Sequence, residues 1–243
     1  MTCLGATVAR QVLDPVLAVV FPSTCPGCQA MLDHPTRGPL CASCWSNLPR
    51  HIQPLCACGG PCGAAGPCGR CRRNLSPIRY GASLGPYAGT LRQLIHDLKY
   101  RGQRRVATRL AEILLSREEV GRLLEPRVAL VAVPLHPRRR RERGFNQAEL
   151  LAEALGRRAR VDLLRGVLVR RRQTQSQTGL SAARRRANVI GAFAVRRPET
   201  VAGRRLVLVD DVVTTGATAL ACARALLGAG AKDVRLLAAA RVL

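Results

Sequence analysis

The sequence predicts an α/β domain, a parallel sheet flanked by helices, preceded by a small cysteine-rich module that metal must hold together. Three observations carry this. Beyond about residue 80, runs that are apolar throughout (Val128–Val133, Leu206–Val209, Val234–Ala238) are separated by helical runs, and strands without polar alternation belong inside a sheet covered on both faces. Strand, helix and strand in succession argue for parallel pairing through right-handed crossovers. Ten of the eleven cysteines fall before residue 72, several in C-x2-C pairs.

The 243 residues suffice for one full α/β domain and an accessory module. At 47% hydrophobic residues a packed core is available, which excludes wholesale disorder. Basic residues number 39 against 15 acidic, a net charge of +24. All the basic residues except Lys99 and Lys232 are arginine, and alanine is abundant. A GC-rich coding bias explains part of that excess, but residues 134–205 alone hold 19 arginines against five acids. A polyanionic ligand in that half fits the imbalance. With seven aromatic residues in the whole chain, a base-stacking platform for single strands is poorly supplied.

In chain order, residues 1–21 carry an apolar helical pattern (Leu4, Val8, Val12, Val16, Val19, Val20) interrupted at Pro15. No run reaches the roughly 18–20 apolar residues of a membrane span. Val12–Phe21 is broken by Asp14 and Pro15 and lacks a signal cleavage site, so the expectation is a cytoplasmic protein. Residues 22–76, rich in Cys, Pro and Gly, need an external staple. The α/β domain spans 80–243, with helices expected over Thr90–Tyr100, Val106–Leu115, Asn146–Arg158 and Thr218–Leu227 and a turn at Gly228-Ala229-Gly230.

Without a secretion signal, clustered cysteines read as metal ligands. Cys25-Pro-Gly-Cys28 and Cys41-Ala-Ser-Cys44 are knuckles separated by twelve residues. Each puts two sulfurs on one side of a tight turn, so four thiolates can surround Zn²⁺ tetrahedrally. Cys68-Gly-Arg-Cys71 is a third knuckle. Its partners are read as Cys56 and Cys58, with Cys62 as the substitute: Cys56-Ala-Cys58 is one residue short of the usual spacing, and Cys58-Gly-Gly-Pro-Cys62 one too long. Gly59 directly after Cys58 favours the first choice. Zinc held by four thiolates has no open position for catalysis, so one or two such ions would serve folding. Cys3 and Cys222 stand apart, and Cys222 reads as a small buried hydrophobe.

The most informative run is Arg205-Leu-Val-Leu-Val-Asp-Asp-Val-Val-Thr-Thr-Gly-Ala-Thr218. An apolar strand ends in two carboxylates, and a Thr-Gly loop then opens a helix. Backbone N–H groups of Val213, Thr214, Thr215, Gly216, Ala217 and Thr218 can converge on a phosphate at the helix start. Asp210 and Asp211 would repel a phosphate, so they are expected to meet the vicinal hydroxyls of a ribose, with Mg²⁺ held through water. No Lys follows the glycine, which excludes a Walker loop.

Val131-Ala-Val-Pro-Leu-His-Pro137 ends another strand in a turn, and arginines follow directly. Ligands of open α/β sheets gather at strand C-termini, so this turn is expected to face the Asp210 loop. Leu135, His136 and Arg143 are the candidate pyrophosphate contacts, while Arg138 to Arg141 read as a solvated basic face. His96 and His136 are the candidate proton carriers.

The Asp210 run closely resembles the ribose-phosphate loop of type I phosphoribosyltransferases. Pro134-Leu-His-Pro, Arg143-Gly-Phe-Asn-Gln147, Gln177-x-Gly-Leu180, Arg185, Asn188, Gly191-Ala-Phe193 and the earlier Leu98-Lys99-Tyr100-Arg101-Gly102 together make nearly the whole chain similar to the ComF family. The resemblance implies a type I phosphoribosyltransferase-like sheet behind a double zinc ribbon, binding 5-phosphoribosyl 1-diphosphate or a related ribose 5-phosphate with Mg²⁺. In some members it implies a role in DNA uptake during competence. Asp210 and Asp211 would then be the catalytic pair. Gln173–Arg186 resembles the loop that closes over substrate in these transferases. The short Cys56/Cys58 spacing departs from the family pattern. Two functions stay open: a phosphoribosyltransferase with an acceptor the sequence does not name, and a non-catalytic protein that keeps the sugar-phosphate site while binding single-stranded DNA or a competence partner.

Overall fold

The computed structural model describes residues 23–32, 34, 38–51, 55–62, 66–125, 127–172 and 189–242. The helix expected over 1–21, Cys3, and the basic segment 173–186 lie outside them.

In the cysteine module, bridges between Thr24 and Met31 and between Leu55 and Pro61 fold back the two leading knuckles. Helices α1 (Ala42–Ser46) and α2 (Gly69–Arg72) start from Cys41 and Cys68, which serve as their N-caps. The α/β domain follows as β1 (Gly81–Pro86), α3 (Gly89–Arg101), α4 (Arg104–Leu115), α5 (Glu118–Leu123), β2 (Val128–Ala132), α6 (Pro137–Arg143), α7 (Gln147–Ala159), β3 (Asp162–Leu163), β4 (Leu168–Arg170), β5 (Phe193–Val195), β6 (Arg205–Val213), α8 (Ala217–Gly228) and β7 (Asp233–Arg241). The sheet has five strands in the order β1-β7-β6-β2-β3, every pairing parallel. β4 and β5 form an antiparallel hairpin packed on α8.

Apolar periodicity explains the helices. In α4, Val106, Ala107, Leu110, Ala111 and Leu114 recur every three or four residues and are all buried. One face of the sheet is covered by α3, α4 and α7, the other by α8 and the hairpin. The first cysteine set belongs to the α4 side, where Leu32, Leu40, Trp45 and Leu48 join the same apolar cluster as Leu91 and Leu110. Each fully buried leucine contributes about 1.5–3 kcal/mol, so hydrophobic burial anchors this module on the α/β domain.

The structure departs from expectation at several elements. β6 does not end at Val209: its ladder with β7 continues through both aspartates to Val213 opposite Arg241, because parallel main-chain bonds outweigh the weak strand propensity of Asp. The run after Pro137 is a helix, with Pro137 in its first turn and His136 as N-cap. β1 was hidden by its composition, Gly-Ala-Ser-Leu-Gly-Pro. Gly85 is required there by close approach, since a Cβ would lie 1.8 Å from the Pro49 carbonyl oxygen of the chain crossing it. His51 Nε2 and Ser83 Oγ, 2.8 Å apart, tie that crossing chain to the strand.

Topology fixes where a ligand would sit. From β2 the chain runs through α6 and α7 to β3 at one edge, and from β6 through α8 to β7 on the other side. β2 and β6 are paired neighbours from Val128↔Arg205 to Ala132↔Val209. The crossovers therefore diverge at the β2/β6 boundary, and ligands of open α/β sheets bind beyond the strand C-termini at such a point. Among the described residues no helix is long and apolar enough to cross a membrane.

Candidate functional site

The turn after β2 and the loop after β6 leave adjacent strands side by side, joined where the Val133 N–H donates to the Val209 carbonyl at 2.9 Å. Gly216 is the N-cap of α8 at φ +75°, a conformation that residues with a Cβ rarely adopt. Thr214, Thr215 and Gly216 are half-buried, and Val213 and Ala217 are buried. The Ala217 N–H reaches Thr215 Oγ1 at 3.4 Å. Thr218, also half-buried, lies in the first turn of α8.

Asp210 and Asp211 are 8% and 5% exposed. As neighbours in a strand they point to opposite faces. Asp210 Oδ1 accepts the Asp211 N–H at 2.9 Å. Asp211 Oδ2 lies 2.8 Å from Lys99 Nζ at the end of α3, and the ammonium sits 5.7 Å from the centre of the Tyr87 ring. Burial and then the Asp211 charge push Asp210 well above the usual carboxylate range. Burial works hardest against ionised Asp211, but the Lys99 charge together with hydrogen bonds from Lys99, Asp210 and the Val212 N–H holds that carboxyl below its usual value. Burial likewise opposes the charge of Lys99, and Asp211 more than restores it. The site thus holds one ionised carboxylate with its own cation and one carboxyl inclined to keep a proton. Lys99 had no role in the reading of the sequence beyond membership of the 98–102 run.

The same run meets the β2 turn. Arg143 Nη1 donates to Gln147 Oε1 at 3.2 Å, and its guanidinium lies 5.2 Å over the Tyr100 ring. Asn146 caps α7 through Oδ1 and donates from Nδ2 to the Val133 carbonyl at 3.0 Å, fixing the turn to the helix. His136 Nδ1 accepts the Arg138 N–H at 3.3 Å. The neutral ring therefore carries its proton on Nε2, free to donate. His96 is exposed on α3, its ring 4.4 Å from that of Tyr100. Leu135 lies in the wall of a cavity of about 550 Å³ lined by Arg140, Arg165, Arg170, Arg171 and Arg196.

In the cysteine module the sulfurs of Cys25, Cys28, Cys41 and Cys44 lie within 4.8 Å of one another, as do those of Cys56, Cys58, Cys68 and Cys71. Cys28 and Cys41 are 3.6 Å apart, Cys58 and Cys68 3.7 Å. Zn–S bonds of about 2.3 Å in a tetrahedron place sulfurs roughly 3.8 Å apart, so both sets fit zinc. Cys62 lies outside the second set. The short Cys56–Cys58 spacing closes through a tight turn in which Gly59, at φ +76°, donates to the Cys56 carbonyl at 2.6 Å. Cys222 is buried in α8, as expected of a small hydrophobe.

These features recur in known proteins. Residues 16–78 match the family model described as a double zinc ribbon domain, and residues 141–242 that of a phosphoribosyl transferase domain. The "DNA utilization protein YhgH" of Escherichia coli strain K12 is 37% identical over 211 residues, 84% of this chain and 91% of that protein. "Competence protein F" of Haemophilus influenzae is 32% identical over 231 residues, 91% of this chain and 98% of its own. "Competence protein ComFC" of Bacillus subtilis is 30% identical over 201 residues, covering 79% of each. Because such relatives span ribbon and sheet together, in the order the fold presents them, the chain belongs to the ComF family of phosphoribosyltransferase-like proteins.

Proposed function

We propose that the chain binds 5-phosphoribosyl 1-diphosphate, or a related ribose 5-phosphate, with Mg²⁺, and that it serves DNA uptake or utilisation. The observation that supports this best is the loop from Asp210 to Thr218, which opens α8 at the switch point of the sheet. In this reading the amides of Val213 to Thr218, with the hydroxyls of Thr214, Thr215 and Thr218, hold the terminal phosphate. Asp210 and Asp211 meet the ribose diol. Leu135, His136 and Arg143 receive the pyrophosphate, with the His136 Nε2–H and the Arg143 guanidinium as its donors.

Among the described residues, the side-chain groups close enough to cage an ion are the two cysteine sets alone. The carboxylates of β6 would suit contact with Mg²⁺ through water. When bound it offsets the charge of the departing pyrophosphate. Asp211 contributes negative charge beside the ribose as C1 becomes electron-poor and its bond to pyrophosphate lengthens. Lys99 keeps Asp211 ionised and oriented. Titration with 5-phosphoribosyl 1-diphosphate and Mg²⁺ tests the site: wild type binds and the Asp210→Asn/Asp211→Asn variant does not. Equal binding by both removes the assignment.

A second reading, a binder without turnover, is favoured by the arginine-lined cavity beside Leu135, whose lining includes Glu149 as its one carboxylate. The name of the Escherichia coli relative points the same way, toward DNA. Pyrophosphate release across purine, pyrimidine and amine acceptors separates the two. Affinity for single-stranded DNA that falls steeply with salt supports a nucleic-acid contact.

A further inference from the structure

The second cysteine set and the phosphate loop meet at a hydrogen bond that the proposed function leaves unused. Arg70 lies between Cys68 and Cys71, within α2. Its Nη2 donates to the Thr215 carbonyl at 3.1 Å, across 145 residues of sequence. Its Nη1 is 3.6 Å from where a Cβ on Gly216 would stand. A second guanidinium backs the same spot: Arg241, at the end of β7 and 6% exposed, has Nη2 at 4.0 Å from that point, and its Nε has no hydrogen-bond partner.

Peptide geometry turns this contact into a constraint on the loop. The described peptide bonds are trans, and in a trans peptide the C=O and the following N–H point in opposite directions. With the Thr215 carbonyl drawn toward Arg70, the Gly216 N–H faces away from the ribbon. Flipping that one peptide would replace a donor by an acceptor where an anion is to be held. Glycine makes such a flip easy, because both signs of φ are open to it; as N-cap, Gly216 brings no side-chain bond to resist it, and the Thr215 Oγ1 contact with the Ala217 N–H is long at 3.4 Å.

We infer that Arg70 is a positioning residue of the phosphate loop, holding the Thr215–Gly216 peptide with its N–H outward, so that anion affinity depends on a folded second ribbon. The inference rests on the ribose-phosphate reading for the ligand, while its conformational part stands without one. The test compares full-length wild type, Arg70→Ala, Arg70→Lys and Cys71→Ser. Zinc content, residue-resolved amide exchange over 213–218 without ligand, and calorimetric titration with ribose 5-phosphate are measured for each. Arg70→Ala should keep wild-type zinc content, change the exchange rate at Gly216, and lose about tenfold in affinity, the scale of a hydrogen bond from a charged donor. Arg70→Lys should recover part of both. Cys71→Ser should lose one zinc and reproduce the affinity loss. Unchanged exchange and affinity in Arg70→Ala would overturn the inference. Should wild type fail to bind ribose 5-phosphate, the ligand reading falls, and the exchange comparison still decides whether Arg70 sets the peptide.

Discussion

Lys99 and Asp211 meet where the end of α3 reaches the C-terminal part of β6, Nζ to Oδ2 at 2.8 Å, with the carboxylate side chain 7% exposed and the lysine side chain 21%. Lys99 is the cation that balances Asp211 Oδ2. Removing the cation strands a buried charge. Lys99→Met should therefore destabilise the protein at neutral pH by about 2–3 kcal/mol, somewhat below the usual loss for a fully buried pair because Lys99 is partly solvated. Adding Asp211→Asn should restore much of it. The folded-state value of Asp211 is depressed, so the pair's contribution is present above the ordinary carboxylate pKa and fades as pH falls through the depressed one. Urea midpoints of wild type and Lys99→Met should accordingly converge in acid, and a constant gap across pH would refute the charge explanation.

Asp210 has the opposite sign. Burial and the neighbouring Asp211 raise its folded pKa well above 3.8. Ionised Asp210 therefore costs stability that begins to appear as pH rises through the unfolded value. Asp210→Asn keeps an oxygen for the Asp211 N–H and removes the charge. It should raise the melting temperature at neutral pH while weakening 5-phosphoribosyl 1-diphosphate binding, a stability gain at the expense of a functional group. The gain should fade as pH falls through 3.8 and vanish below it, where both states are protonated. A less stable variant at neutral pH would contradict the burial argument.

These two carboxylates show how much of the site the sequence discloses. The strand, the acid pair and the Thr-Gly helix start are local and periodic, so they are legible from residues 205–218 alone. The cysteine pairs are equally legible, because a knuckle is a feature of four consecutive residues. Lys99, Arg70 and Arg241 are not: each acts through a contact made by tertiary packing, and no spacing rule links residue 99 to 211 or 70 to 215. A weak signal existed for Lys99, one of two lysines in a chain with 37 arginines. β1 escaped notice because its glycines serve the chain packed across it, and the hairpin because its strands are only three residues each.

The two metal sets should be separable by the single tryptophan. Trp45 is 4% exposed, adjoins Cys44, and shares the apolar cluster of the first ribbon. Wild type should contain two zinc ions per chain. Cys44→Ser should lose one with a red shift of Trp45 emission, while Cys58→Ser should lose one without it. Cys62→Ser should retain both. Loss of a metal ion in Cys62→Ser would reverse the choice between Cys58 and Cys62.

Arg143 offers the sharpest division within the proposed ligand. The Gln147 oxygen at 3.2 Å and the Tyr100 ring beneath the guanidinium hold it in place, leaving other N–H donors of its planar fork for an incoming oxyanion. In the proposed reading, Arg143 after the β2 turn serves the pyrophosphate end and the loop after β6 the terminal phosphate. Arg143→Ala should therefore weaken binding of inorganic pyrophosphate by about 10- to 100-fold, the range expected for charge-assisted hydrogen bonds, and leave ribose 5-phosphate affinity unchanged. Arg143→Lys should recover little, because an ammonium can neither stack on Tyr100 as the guanidinium does nor present paired donors. Equal losses for both probes would mean that Arg143 supports the site as a whole, and no loss for pyrophosphate would remove it from the ligand altogether.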